Sequence, residues 1–229
     1  MADFSQYYSD YLENGNFWGE ATEFKDKNGN LTKIDKGLVI LDGNATSQKG
    51  GAASESIGYS LVLSALYNDK DTFDRISSVI QTILEETDQN FMPWNITNDG
   101  TTWSVPEDEV IDGEVVSYHQ SASDGDINIA LGYAYATFAA KVYGWTDNDS
   151  HGNSYETLAT NYIKAIRTND FNPAAGDYQK YLLADGSAQA KGGNDSWHPD
   201  YSDPRAYQLF KYFDSENHDF WNNATSNAL

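Results

Sequence analysis

Three stretches of the chain place carboxylates where they could do more than solvate a surface. In Gly50-Gly51-Ala52-Ala53-Ser54-Glu55-Ser56-Ile57-Gly58-Tyr59, Glu55 stands among small residues at the head of an apolar segment. A carboxylate there serves either as a first-turn cap favoured by the helix dipole or, if burial keeps it protonated, as a general acid. In Ala122-Ser123-Asp124-Gly125-Asp126-Ile127-Asn128-Ile129-Ala130, Asp124 and Asp126 are two residues apart. That spacing keeps them off a common helix face, so different jobs are expected of them. One could cap while the other points into a cleft. Carboxylates at the mouth of so apolar a segment are costly unless paired or used. In Trp197-His198-Pro199-Asp200-Tyr201-Ser202-Asp203-Pro204-Arg205-Ala206-Tyr207, Asp203 before Pro204 is a helix start with proline in the first position.

The aromatic residues give a second signal. The chain holds 16 Tyr and 6 Trp, and aromatics make up 14% of it. Trp94, Trp103, Trp197 and Tyr201 fall in long connections, where a ring either stacks on a ligand or anchors the loop. Two stretches have calcium-loop alternation and fail it. After Asp26-Lys27-Asn28-Gly29-Asn30, Leu31 stands where glycine is needed, and after Asp147, Leu158 stands where the bidentate glutamate should be. The four histidines lack zinc spacing, and no phosphate-binding or dinucleotide fingerprint occurs. No metal or cofactor is expected.

Composition narrows the partners. With 14 Lys+Arg against 35 Asp+Glu, the net charge of −21 opposes nucleic-acid phosphates and anionic lipid. No apolar run is long enough to span a membrane. The first residues carry no basic and apolar pair of regions, so no signal peptide is expected there. Cysteine is absent, which excludes disulfides and thiol catalysis. Many Asn, Gly and Ser beside many Tyr and Trp suit neutral, hydroxyl-rich ligands.

The elements that must position these residues are mainly helical. Apolar spacing predicts helices near Asp3–Glu13, Ser54–Tyr67, Asp71–Glu86, Ala122–Val142, Ser154–Arg167 and Asp203–Phe213. The Ala122–Val142 segment is apolar nearly all round and should be buried. Strand signals are weak, at Leu38–Leu41 and Glu114–Ser117, and the tail after Asp214 reads as frayed. Short turns join helices into hairpins, and long connections at Gly15–Ala53, Asp88–Ser121 and Thr168–Ser202 gather the acids at one end. Gly186–Asp195 reads as a surface loop and no domain linker is visible, so residues 1–229 form one domain region.

Taken together, the three stretches resemble glycoside hydrolase family 8. Its Ser-Glu-Gly-x-Gly-Tyr-Gly motif corresponds to Ser54–Ser60. Its Ala-Ser/Thr-Asp-Ala/Gly-Asp-x-x-Ile-Ala motif corresponds to Ala122–Ala130, and its Pro-x-Tyr-x-x-Pro-x-x-Tyr motif to Pro199–Tyr207. Phe91-Met92-Pro93-Trp94 and Asn98-Asp99-Gly100 are similar to a further family segment and turn. The resemblance implies an all-α chain, an (α/α)6 barrel of helical hairpins with an acidic, aromatic-lined cleft. It also implies an inverting endo-hydrolase of β-1,4-linked glucan, xylan, chitosan or mixed-linkage glucan, acting outside the cell or at its surface without a cofactor. Glu55 matches the family's general acid and Asp124 the carboxylate at the cleavage subsite. Asp126, Trp94, Trp197, Tyr201 and Tyr59 are expected to support substrate binding.

The sequence departs from the family in three ways. Ser56 and Ser60 replace glycines of the first motif, and Gly132, Tyr133 and Ala140 depart from the usual types after the second. The Arg-x-Pro-Trp-Arg segment near the family's catalytic base is absent, leaving Asp200 as the carboxylate within a motif that could take that role. About six helices are legible where the full barrel has twelve, so the barrel is expected to be incomplete in this chain. That leaves a glycan-binding remnant, or a half-barrel that self-associates or needs a partner, as the alternative.

Overall fold

The computed structural model describes residues 19, 21–35, 51–111, 114–172, 175–176, 179–187 and 200–229. The helix expected near Asp3–Glu13, the strand expected at Leu38–Leu41 and Trp197 lie outside these residues. Among the described residues six α-helices follow in chain order: α1 (Ser54–Leu66), α2 (Lys70–Thr87), α3 (Ser123–Tyr143), α4 (Tyr155–Asn169), α5 (Pro204–Phe213) and α6 (His218–Ala228). The first five match the expected helices to within a few residues at each end.

The expected frayed tail is instead a 3-10 turn at Ser215–Asn217 followed by α6. Its apolar face is Phe220, Trp221, Ala224 and Ala228, a helical spacing diluted by Asn and Ser. Trp221 is fully buried among Phe171, Tyr207, Phe210 and Phe220. Its indole N–H donates to Asp214 Oδ2 at 3.1 Å, and Arg167 Nε meets the same oxygen at 2.8 Å.

The chain is not all-α. Among the described residues there are seven short strands: β1 (Glu23–Lys25), β2 (Leu31–Lys33), β3 (Ala52–Ala53), β4 (Asn95–Asn98), β5 (Trp103–Ser104), β6 (Glu109–Ile111) and β7 (Glu114–Val116). The first five form one sheet in the order β2-β1-β5-β4-β3, antiparallel except for the β1–β5 pair. β6 and β7 form a separate hairpin, which contains the predicted Glu114 strand. Strands of two to four residues carry too little alternation to be read from sequence. Trp103, in β5, is buried with its N–H on the Ala21 carbonyl, so it anchors the loop.

Capping separates α1 and α3 from α2, α4 and α5. Side chains cap α2, α4 and α5: Asp69 accepts from Thr72 N, Ser154 from Thr157 N, and Asp203 from Arg205 N and Ala206 N. No side chain caps α1 or α3. Their first N–H groups are taken by main-chain carbonyls of distant loops: Ser54 N by Trp94 O at 3.1 Å, and Ser123 N by Asp185 O at 3.0 Å. The long connections therefore close the N-termini of α1 and α3 and fix where their first turns lie.

α3 packs mainly against α1 and α4. The α1–α3 approach is close because two glycines stand in it. A Cβ on Gly58 would lie 2.6 Å from Asn128 Cβ, and one on Gly125 would lie 2.2 Å from Ser54 Oγ. The two serines that replace family glycines fit as well. Ser56 Oγ donates to the Ala53 carbonyl and Ser60 Oγ to the Ser56 carbonyl, so neither hydroxyl is stranded.

Candidate active site

Because α1 and α3 abut at Ser54 and Gly125, the residues beside those positions, Glu55 and Asp124, come together at one end of the helical layer. Both carboxylates are half-buried. Burial pushes the Glu55 carboxyl above its ordinary value; its own backbone N–H pulls the other way, and the charge of Asp124 adds to the rise. Ser54 Oγ donates to Glu55 Oε2 at 3.4 Å. Asp124 is also raised by burial, opposed by the Gly125 N–H on Asp124 Oδ1 at 2.9 Å, with Asp185 and Asp200 adding repulsion.

Asp185 was not singled out by sequence reasoning. It sits in an Ala-Asp-Gly turn of the third long connection with no motif around it. Ser123 brings it to the site: Ser123 N donates to the Asp185 carbonyl, and Ser123 Oγ to the Ala184 carbonyl at 2.5 Å. Tyr201 marks the convergence. Burial raises its hydroxyl, and the charges of Asp124, Asp185, Glu55 and Asp200 all add to the rise. The charges of four carboxylates thus bear on one phenol, and burial favours the acid form of Glu55 and of Asp124.

A cavity of about 420 Å³ opens beside Asp124, lined among others by Tyr59, Asn128, Asp200, Tyr201 and Arg205. Tyr59 is more than half exposed on the outer side of the α1 first turns. The cavity wall therefore brings together Asp124, Tyr59, Tyr201 and Asp200, while Glu55 lies near Asp124 and is not among the lining residues. A larger cavity of about 830 Å³ lies between α2 and α4, lined by groups such as Gln81, Glu85 and Asn161, and holds none of these residues.

Two expected binding residues have other work. Asp126 is fully buried and accepts from Tyr162 OH at 2.9 Å. It cannot touch a substrate in the cleft, which corrects the expectation of a binding role. The two-residue spacing sends it inward, under α3, while Asp124 faces the cavity. Trp94 stacks on Tyr118, with ring centroids 5.2 Å apart, and its N–H donates to the Ser117 carbonyl. One face and the polar tip of Trp94 are thus spent on holding the loop. Asp203 is the α5 cap, as its spacing before Pro204 requires.

No group of three or more metal-ligating side chains occurs among the described residues. The two calcium-like stretches are polar turns: Asp26 accepts from Asn28 N and Asn30 N, and Asp149 from His151 N and Asn153 N. No helix of the described residues is long and apolar enough to cross a membrane.

The chain is similar to several known proteins. Endoglucanase C of Ruminiclostridium cellulolyticum is 28% identical over 160 residues, covering 70% of this chain and 29% of the relative. Endoglucanase 2 of Ruminiclostridium josui matches to the same extent. The solved structure of Rex8A from Paenibacillus barcinonensis complexed with xylose superposes with a TM-score of 0.65 at 18% identity, over 99% of this chain and 52% of that one. A reducing end xylose-releasing exo-oligoxylanase does so with a TM-score of 0.60 at 20% identity, over 98% and 51%. These likenesses show the helical-barrel fold, and the chain spans about half the length of the solved relatives. The family model described as glycosyl hydrolases family 8 matches residues 21–229, nearly all of the sequence, and so the chain belongs to that family.

Proposed function

We propose that this chain carries the acid side of an inverting endo-hydrolase site for a β-1,4-linked polysaccharide: glucan, xylan, chitosan or mixed-linkage glucan. Glu55 protonates the departing glycosidic oxygen. Asp124 holds the sugar at the cleavage subsite, and Tyr59 and Tyr201 line the path of the chain. The observation that carries this reading is the meeting of Glu55 and Asp124 at two abutting helix starts, beside an open cavity walled by tyrosines. A half-buried glutamic acid with its acid form favoured is what leaving-group protonation requires. Such polymers lie outside cells, so the protein would act in the extracellular space or at the cell surface.

An inverting reaction also needs a carboxylate to activate water, roughly 6.5–9.5 Å from the acid. Asp185 and Asp200 are further acids whose charges bear on this site. A second reading assigns that role to a part of the barrel outside this chain. It is favoured by exposed Tyr59 and Leu66 of α1, Phe138 and Val142 of α3 and Tyr212 of α5. Exposed apolar faces of this kind mark contacts with another body, here a partner chain or the rest of a barrel. On that reading the chain alone binds glycan without cleaving it.

Reducing-end release from carboxymethyl cellulose, β-glucan, xylan and chitosan, with Glu55→Gln alongside, tests the first reading. Release abolished by the substitution supports it. Folded protein that is retained on the polymers but releases nothing supports the second.

A further inference from the structure

The larger cavity, about 830 Å³ between α2 and α4, has no part in the proposed reaction. Its volume falls in the range of small-molecule sites, about 300–1,000 Å³. It is a groove: the residues along it run from Leu158 to Asn169 on α4, about 16 Å at the rise of a helix. The floor is buried and partly apolar, with Phe91, Leu158 and Tyr162. The Tyr162 hydroxyl is engaged below, donating to Asp126 and accepting from Met92 N. The rim is exposed and polar, with Glu85, Asp88, Asn90 and Asn161. Several of these groups have bonds left to make. Asn161 makes no side-chain hydrogen bond within the protein. Asn90 Oδ1 accepts from Asn169 Nδ2 at 3.1 Å, which leaves Asn90 Nδ2 to donate. Gln89, also in the wall, donates from Nε2 to the His119 carbonyl at 2.6 Å, and its Oε1 stays buried without a donor. Among the described residues no lysine, arginine or histidine lines the groove, and Glu85 and Asp88 flank it, so it repels anions. Its amide ends do not suit a purely apolar molecule. Amides both donate and accept, and carboxylates accept, which complements a row of neutral hydroxyls.

We propose that this groove is a second, non-catalytic glycan-binding site, which holds a short stretch of a neutral β-1,4-linked chain through hydroxyl bonds to Glu85, Asp88, Asn90 and Asn161. The inference rests on reading the chain as a protein that acts on polysaccharide, and the place of the groove fits that reading. A short turn joins α1 to α2, so α2 ends, at Asp88, on the side where α1 begins. The connection that leaves α2 passes Asn90 and Phe91 and then gives the Trp94 carbonyl to Ser54 N, beside Glu55. The other wall behaves in the same way. Asp170, which follows Asn169, accepts from Ser121 Oγ at 2.6 Å, two residues before α3 and three before Asp124. The end of the groove at Asn90 and Asn169 therefore lies at the end of the helical layer that carries Glu55 and Asp124. A polymer held there is kept close to the cleft, between outer helices, without occupying it.

The test needs no turnover, so its failure is distinct from failure of the hydrolase reading. The Glu55→Gln chain, isotope-labelled, is titrated with cellohexaose and with xylohexaose, and the side-chain amide resonances are followed by NMR. Asn90 and Asn161 should shift with at least one of the two sugars. Asn128, which lines the cleft cavity, reports binding there separately. Shifts at Asn128 alone, or at none of the three up to the solubility of both sugars, would overturn the second site. Glu85→Ala combined with Asn161→Ala then removes two contacts at exposed positions, so the melting temperature should hold. Binding read at Asn90 should weaken about tenfold, and binding read at Asn128 should be unchanged. Equal affinity at Asn90 with and without the two substitutions would overturn the proposal. Reducing-end release that Glu55→Gln abolishes, with no shift at Asn90 or Asn161, would leave the hydrolase reading standing and remove this one. Shifts at Asn90 and Asn161 in a chain that releases nothing would do the reverse.

Discussion

Gly125→Ala probes the contact that brings the two site carboxylates together. The added Cβ would lie 2.2 Å from Ser54 Oγ, 2.8 Å from Ser54 Cβ and 3.0 Å from Glu55 N. Rotation of the Ser54 side chain can remove the first clash. It cannot remove the second, which stays short of the 3.4 Å at which ordinary contact begins. The helices must therefore separate by about 0.6 Å at their starts, and the main-chain bond from Ser54 to Trp94 must stretch with them. Overpacking of this size costs about 1–3 kcal/mol. For a chain of this length about 2 kcal/mol corresponds to a melting temperature roughly 4–8 °C lower. Activity should fall further than stability, because a displacement of roughly 1 Å at a reacting centre can cost on the order of a hundredfold. Scanning calorimetry gives the first quantity, and reducing-end release at a temperature where both proteins are folded gives the second. A Gly125→Ala protein melting within about 1 °C of wild type would refute the close α1–α3 approach.

Three further outcomes follow from the same structure. Trp221→Ala should destabilise the protein by about 3–5 kcal/mol in urea unfolding, because α6 is held by this one large buried side chain. Burial alone would raise the Asp214 carboxyl, but Asn217, Arg167 and Trp221 outweigh burial and hold it below the usual carboxylate range. Its stabilisation is therefore present above the unfolded value near 3.8 and lost as pH falls through the folded value, so Asp214→Asn should flatten the acid limb of melting temperature against pH. Tyr59→Ala should weaken retention on the bound polymer without moving the melting temperature by more than about 1 °C, since the ring is mostly exposed.

The helices that place the site were legible because their buried faces follow the helical period. Phe73, Ile76, Val79, Ile80 and Ile83 of α2, and Leu158, Tyr162 and Ile166 of α4, are cases in point. α6 was not legible, since a face of Phe220, Trp221 and two alanines among asparagines and serine has little apolar contrast. The sheet was hidden by the brevity of its strands. Glu55 and Asp124 could be named from their motifs, and the structure brings them together. Asp126 could not be told from Asp124 by composition, and only the direction of its side chain, set by packing of α3 on α4, separates a buried strut from a cleft residue. Asp185 reaches the site through main-chain bonds to Ser123, which leave no trace in residue spacing.

The central claim, that Glu55 gives its proton to the leaving group, is tested most directly by changing how much the leaving group needs one. Wild type and Glu55→Gln are compared on a polymer and on an aryl glycoside of the same sugar whose phenolate departs without protonation. If Glu55 is the acid, the substitution abolishes polymer cleavage, by a factor on the order of 10²–10⁴, and leaves aryl glycoside cleavage much less affected. An equal loss on both substrates, or no loss on either, would contradict the assignment.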